Sequence, residues 1–371
     1  MPEKERISLY QLFCMVVTFI FGTSSILMSL TIAGRNTWIS MILAIIPAAV
    51  MVLVITGLAE KYPGMTLIEY AQALLGKIPG KIVGALYLWY FLHLGALVLR
   101  NYGEFLTTEV MPETPLWFFQ ATLAAVVGFF VYHRIEVMAR LSEIVLVIAI
   151  FVSFMVSFLI TNSNIIEVKN LLPVMEHGVG KVLLGSVPIT AFPFLEVVLF
   201  AMFFPHVKSA AKCRKVTLGA IGLSGLILTM IMVQLIAVFG EYMSSLTYPR
   251  FYMVKMISVG GFIERIEPVV LAVWIMSGLI KMGICLYAFV LGLAQLLGLK
   301  DYRFLIGPAM ITTAVLSVNV YENTYEMINF ANNIYPIYAF PFEVALPVLM
   351  LVVALFKKRG GKAAQGGRSG Q

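Results

Sequence analysis

Charged residues are scarce. Only 12% of the 371 residues are Asp, Glu, Lys or Arg, against 60% hydrophobic. That balance excludes a soluble globular domain of this size. Cysteine is nearly absent: Cys14, Cys213 and Cys285 lie far apart, two of them inside apolar runs. This excludes a disulfide framework and any zinc spacing. The four histidines, His93, His133, His177 and His206, are just as scattered. No Ser/His/Asp order, phosphate loop, metal cluster or cofactor fingerprint is present, so the sequence points to no enzyme, no metal and no cofactor. The alternating short segments of a transmembrane barrel are missing too. The leading MPEKERISLYQ runs into a full-length apolar span without a small-residue cleavage site, so no cleaved signal peptide is expected.

What the chain does have is long apolar runs. We count ten, at roughly 9–32, 38–59, 81–106, 116–132, 142–161, 182–204, 216–240, 267–294, 304–321 and 335–356. Each is close to the ~20 residues a helix needs to cross hydrocarbon. The expected fold is an all-α polytopic membrane protein with a lipid bilayer around it. The net charge of +7 does not indicate nucleic acid, because the basic residues sit in short loops and follow a topology. With the N-terminus inside, eighteen of the 26 Lys and Arg fall on the cytoplasmic side. Six (Arg35, Lys169, Lys181, Arg250, Lys255 and Arg265) fall on the other side, and Arg100 and Lys281 lie within spans. A threefold bias of this kind sets orientation, with both termini cytoplasmic.

Several connections carry structure. Residues 66–75 read as a short amphipathic helix on the cytoplasmic face. Leu171-Leu172-Pro173-Val174 is apolar enough to pack down on the bundle, and residues 243–266 form a long outer segment, either a lid or a half-inserted helix. The tail at 360–371 is rich in Gly, Ser and Lys and reads as disordered. One transmembrane domain covers 1–371, with one repeat at about 9–161 and a second at about 182–356.

Span 6 breaks this regularity. It holds Pro188 and Pro193, with Thr190, Ala191 and Phe192 between them and Glu196 just beyond. Each proline lacks an N–H and clashes one turn back, so the helix is expected to break there. A buried acid beside a break in a span marks a functional site by default. In a five-plus-five arrangement span 6 corresponds to span 1, which has its own interruption at Gly22, Thr23, Ser24 and Ser25. Interrupted helices at matching positions of two halves point to an inverted-repeat binding site. A small-residue packing face is the other reading of span 1.

Other polar residues within spans have open roles. Glu196 reads equally as a helix-start cap, a partner for a base, or a proton acceptor or ligand contact. In span 3, Tyr90, His93, Arg100 and Glu104 share a face; Arg100 is expected to pair with Glu104 or face the bundle. Tyr90 and His93 lie nearer the midplane and are ligand-contact candidates. In span 8, Trp274, Ser277, Lys281 and Cys285 share a face. Lys281 could pair with Glu196 or Glu343, or stand where a sodium ion would otherwise bind. Glu343, after Pro341, reads as an ordinary helix start near the outer interface.

Three stretches carry a family resemblance: Lys169-Asn170-Leu171-Leu172-Pro173-Val174, Phe194-Leu195-Glu196-Val197-Val198-Leu199-Phe200, and Phe262-Ile263-Glu264-Arg265-Ile266-Glu267 leading to Trp274. The sequence resembles the B subunits of Ger-type spore germinant receptors. These form the spore germination permease family within the amino acid–polyamine–organocation superfamily. The resemblance covers nearly all of 7–358 and extends to Arg100. It implies a LeuT-like fold of ten helices with helices 1 and 6 broken, in the inner membrane of a bacterial endospore. It implies a small nutrient ligand (an amino acid, sugar or nucleoside) and partnership with A and C subunits. Gly22, Thr23, Ser24, Ser25, Tyr90, Leu94, Thr190, Ala191, Phe192 and the 277–285 face would line the pocket. Gly-Thr-Ser-Ser in span 1 and Lys281 in span 8 depart from the pattern of alanine-sensing members and argue against a small neutral amino acid. The alternative function is a proton-coupled amino acid symporter using Glu196 or Lys281.

Overall fold

Local chemistry sets the helix starts. Helix α1 (Leu9–Ser24) begins at Ser8, whose hydroxyl accepts from the Gln11 N–H while the Gln11 side chain accepts from the Ser8 N–H. Thr66 and Glu69 do the same for the short helix at 66–75, α3 (Leu67–Leu75). Such pairs satisfy N–H groups that the first turn leaves free. The structure, a computed structural model, describes residues 6–28, 30–176, 178–207, 210–257 and 265–357. The tail at 360–371, and Phe262, Ile263 and Glu264 of the outer segment, lie outside the described residues, as does His177.

The other α-helices are α2 (Thr37–Lys61), α4 (Lys77–Phe105), α5 (Leu116–Tyr132), α6 (Arg134–Asn162), α7 (Gly178–Ile189), α8 (Ala210–Phe239), α9 (Pro249–Lys255), α10 (Glu267–Leu297), α11 (Ile306–Asn319), α12 (Thr324–Asn329), α13 (Tyr335–Phe340) and α14 (Leu346–Phe356). Among the described residues, seven helical stretches are long and apolar enough to cross a membrane. Three shorter apolar helices, Leu9–Ser24, Leu116–Tyr132 and Arg303–Asn319, accompany them. Phe151, Phe154, Phe158, Leu226 and Ile337 project outward, fully apolar and exposed, as helices bathed in lipid require.

Helix α1 is central, packed against α6, α8 and α10; α10 also packs on α4 and α5, and α2 on α7 and α8. The loops that charge bias assigns to one face meet at one end of the bundle. The Arg6 N–H donates to Glu136, Lys61 donates to the Ala354 carbonyl, and Lys357 to that of Leu74. At the other end Arg35 pairs with Glu241 and donates to the Leu172 carbonyl.

The structure revises several expectations. Of the stretch expected to pack down, Leu171 packs on the core while Leu172, Pro173 and Val174 stand exposed. Asn170 adds a polar contact beside it, its amide donating to the Ala237 carbonyl at 3.1 Å. Helix α1 stops at Ser24, and the described residues beyond it follow turns without regular helix as far as Gly34. The outer segment forms a 3-10 turn at Gly240–Ser245 and then α9, in which Pro249, Arg250, Phe251, Met253 and Val254 are buried. Glu343 is not at a helix start. The last span runs from Thr324 to Phe356, and Pro341 lies inside it, in a π-type turn at Pro341–Ala345. Such a turn absorbs the missing N–H that would otherwise end the helix, and it carries Glu343 into the core at 1% exposure.

Candidate functional site

The break in the sixth span falls where the prolines place it. Helix α7 ends at Ile189, a π-type turn covers Thr190–Phe194, and Phe192 leaves helical geometry at φ −117, ψ 117. A residue preceding proline is pushed toward extended backbone by the ring of its neighbour. The chain resumes as a tighter helix at Leu195–Met202, every residue of which is buried. Glu196 lies in its first turn.

Glu196 meets Lys281 of α10 at 2.5 Å, and both side chains are fully buried. Tyr335 donates to the other Glu196 oxygen at 3.0 Å. The Tyr335 oxygen is also 3.3 Å from Glu343 Oε1 and 3.1 Å from the Tyr90 hydroxyl, while Tyr90 donates to Glu343 Oε1 at 2.7 Å. One ammonium and two carboxyl groups are thus joined by two phenols from α4 and α13. Glu343 Oε2 is buried without a partner. The Lys281 ammonium also sits over two ring faces, 4.8 Å from Phe19 and 5.0 Å from Phe192, an arrangement that attracts a cation. Phe192 therefore connects the break to the charge pair.

Among the described residues, three cavities lie around this network. The largest, about 220 Å³, is walled by the end of α1, α2, the broken span, α8, the 244–247 turn and the start of the last span. A smaller one, about 20 Å³, holds Leu94, Asn101, Glu196 and Tyr335. Leu27, Phe192 and Ala331 face both, forming a septum between them. A third, about 10 Å³, lies between Ser25 and Ser277.

Ser24, Phe192 and the prolines 188 and 193 line the large cavity; Leu94, Phe192 and Glu196 line the small one; Ser25 and Ser277 line the third. Gly22, Thr23, Tyr90, His93, Thr190, Ala191 and Lys281 line none of these three. The Thr190 hydroxyl donates back to the Ser186 carbonyl at 2.8 Å. His93 stacks on Trp89 at 5.3 Å and meets Tyr338 edge-on. It thus faces the last span. Arg100 pairs with Glu104 at 3.2 Å and donates to the Val318 carbonyl, a lock between spans.

Gly22 has a packing role. A methyl group there would lie 2.8 Å from Lys281 Cβ and 2.9 Å from Cδ. The Tyr102 hydroxyl is shared between the carbonyls of Gly22 and Trp274, tying α1, α4 and α10 together. Gly22→Ala is expected to destabilise the protein by roughly 1–3 kcal/mol through overpacking. Thermal unfolding of the purified protein checks this, and an unchanged Tm would mean that Lys281 yields freely.

Sequence reasoning overlooked Tyr335, Asn101 and the septum residues Leu27 and Ala331. Tyr335 had a usable signal: it lies eight residues before Glu343, on roughly the same helix face. Asn101 is a buried amide on the face of α4 adjoining Arg100. Leu27 and Ala331 carry no polar signature at all.

The sequence matches the family described as spore germination protein over residues 6–325. It is 30% identical to spore germination protein KB of Bacillus subtilis (strain 168), covering 98% of each chain. It is 27% identical to spore germination protein YndE of the same organism, covering 88% of each. GerQB of Bacillus cereus is 24% identical, covering 95% of this chain and 96% of the relative. In structure the chain is similar to a nucleobase-cation-symport-1 family transporter in a closed conformation with bromovinylhydantoin bound. The TM-score is 0.69 at 12% identity, covering 94% of this chain and 78% of that one. A manganese transporter of Eremococcus coleocola gives a TM-score of 0.59 at 12% identity, covering 95% and 88%. At such identities these likenesses speak for the fold, which is LeuT-like. With the sequence pattern running through most of its length and a transporter-type bundle built on a broken helix, the chain belongs to the spore germination protein family.

Proposed function

We propose that this chain is the nutrient-sensing subunit of a spore germinant receptor. The supporting observation is Phe192, which faces the 220 Å³ cavity on one side and stands 5.0 Å from the Lys281 ammonium on the other. A small germinant (an amino acid, sugar or nucleoside) enters by that cavity. Displacing Phe192 opens the way to Leu94, Asn101 and Glu196, so the ligand comes to rest mid-membrane among spans 1, 3 and 6, with Lys281 of span 8 beneath. The Ser24, Thr31, Ser244, Ser245 and Thr247 side chains along the entry suit a polar, hydrogen-bonding ligand.

The ligand acts by shifting a pre-existing equilibrium, and only a difference in contacts between two states can do so. Here the difference is the position of Phe192 against Lys281. Partner A and C subunits read the resulting helix movement and trigger germination in the inner membrane of the endospore, with both termini on the core side.

A second reading, a proton-coupled amino acid symporter, draws on the transporter-type fold and the buried acids Glu196 and Glu343. Proteoliposomes containing the purified chain alone separate the two. The receptor reading expects no accumulation of labelled nutrient along a pH gradient, and concentrative uptake would overturn it.

A further inference from the structure

Among the described residues, the buried cations of the bundle are paired, with one exception. Arg100 has Glu104 and Lys281 has Glu196. Arg250, on α9, is 5% exposed and its Nη1 is buried without a hydrogen-bond partner. No carboxylate among the described residues lies within ion-pair distance of it. Its guanidinium lies over the Trp274 ring at 4.9 Å, which offsets only part of the desolvation of a lone buried charge. Arg250 borders the third cavity, whose other polar walls are Ser25 after α1, Ser153 of α6 and Ser277 of α10. None of the residues lining it is acidic. The Ser25 and Ser277 hydroxyls donate to the carbonyls of Phe21 and Val273, which leaves the guanidinium as the principal free donor.

From this geometry we infer a small-anion site between α1, α6, α9 and α10, centred on Arg250. The cavity measures about 10 Å³, room for about one water-sized particle. A whole nutrient does not fit, and a water molecule cannot neutralise the charge. A monovalent anion of halide size does both. By occupying the site it fastens the outer helix α9 to the bundle beside the Gly22–Tyr102–Trp274 contact.

The test is the thermal stability of the purified full chain in detergent at constant ionic strength, as sodium gluconate is replaced stepwise by sodium chloride or bromide. The expected result is a saturable rise in Tm of roughly 2–4 °C, with chloride and bromide effective and sulfate not. Arg250→Met should abolish the response and, in gluconate, melt at or above the wild-type temperature. Arg250→Lys should retain a response. A wild-type Tm indifferent to the anion would overturn the site, since an acid of the chain itself would then be Arg250's partner. An equal response in Arg250→Met would reduce the effect to general salt stabilisation. If Arg250→Met does not fold, the wild-type titration decides alone through its saturation and its selectivity for small anions.

Discussion

Replacing Lys281 by Met is expected to destabilise the protein by about 3–5 kcal/mol, because removing one member of a buried ion pair strands the other. Glu196 is fully buried and accepts from Lys281 at 2.5 Å. Its second partner, Tyr335, is a single phenol and cannot balance a charge. The decisive comparison is the double variant Lys281→Met, Glu196→Gln. It removes both charges, keeps a hydrogen-bond acceptor for Tyr335, and should regain most of the lost stability. In a double-mutant cycle the pair should show strong coupling. Thermal unfolding in matched detergent reads all three variants. Full stability of the single Lys281→Met variant would mean the two groups are not bound as a pair.

The two buried acids should respond very differently to amidation. Glu196→Gln strands the Lys281 ammonium, with a loss similar to that of Lys281→Met. Glu343→Gln strands no cation. Its Oε1 accepts from Tyr90 at 2.7 Å, and a glutamine oxygen accepts the same bond. Its other oxygen has no partner to lose, so the cost is at most the roughly 1–3 kcal/mol of a buried unpaired amide N–H, below that of a stranded charge. The same ranking should hold for germination of spores at equal protein levels. Equal losses would mean that Glu343, not the Glu196 pair alone, carries charge essential to the network.

The broken span was legible because two prolines five positions apart permit little else, and Phe192 is where the helix parts. Which acid holds Lys281 was not legible. Spacing along a helix fixes which residues share a face, whereas the choice between Glu196 and Glu343 depends on how separate spans cross. Glu343 was misplaced for a local reason. Proline usually opens a helix, but here a π-type turn accommodates Pro341 in mid-span. Arg250 counted in the sequence only as an outer-loop charge, because nothing in a seven-residue helix predicts that it buries its basic side chain. Leu27 and Ala331 gave no signal either, since their importance lies in facing two cavities at once. The exposed course of Leu172 to Val174, beside a packed Leu171, shows the converse: apolar composition alone does not decide which residues of a segment pack.

The proposed sensing role turns on whether the large cavity receives a germinant, and one measurement addresses it. Spores carrying this chain as their only member of the family would be screened with amino acids, sugars and nucleosides, beside spores carrying Ala331→Phe. Ala331 borders both the large cavity and the inner pocket, so a phenyl ring there narrows the passage between them while leaving both members of the Glu196–Lys281 pair in the sequence. A small nutrient should trigger germination in the first strain, and the concentration needed should rise at least about tenfold in the second, equivalent to roughly 1.4 kcal/mol of lost binding. An identical response of the two strains, at equal receptor levels, would contradict a germinant site in this cavity.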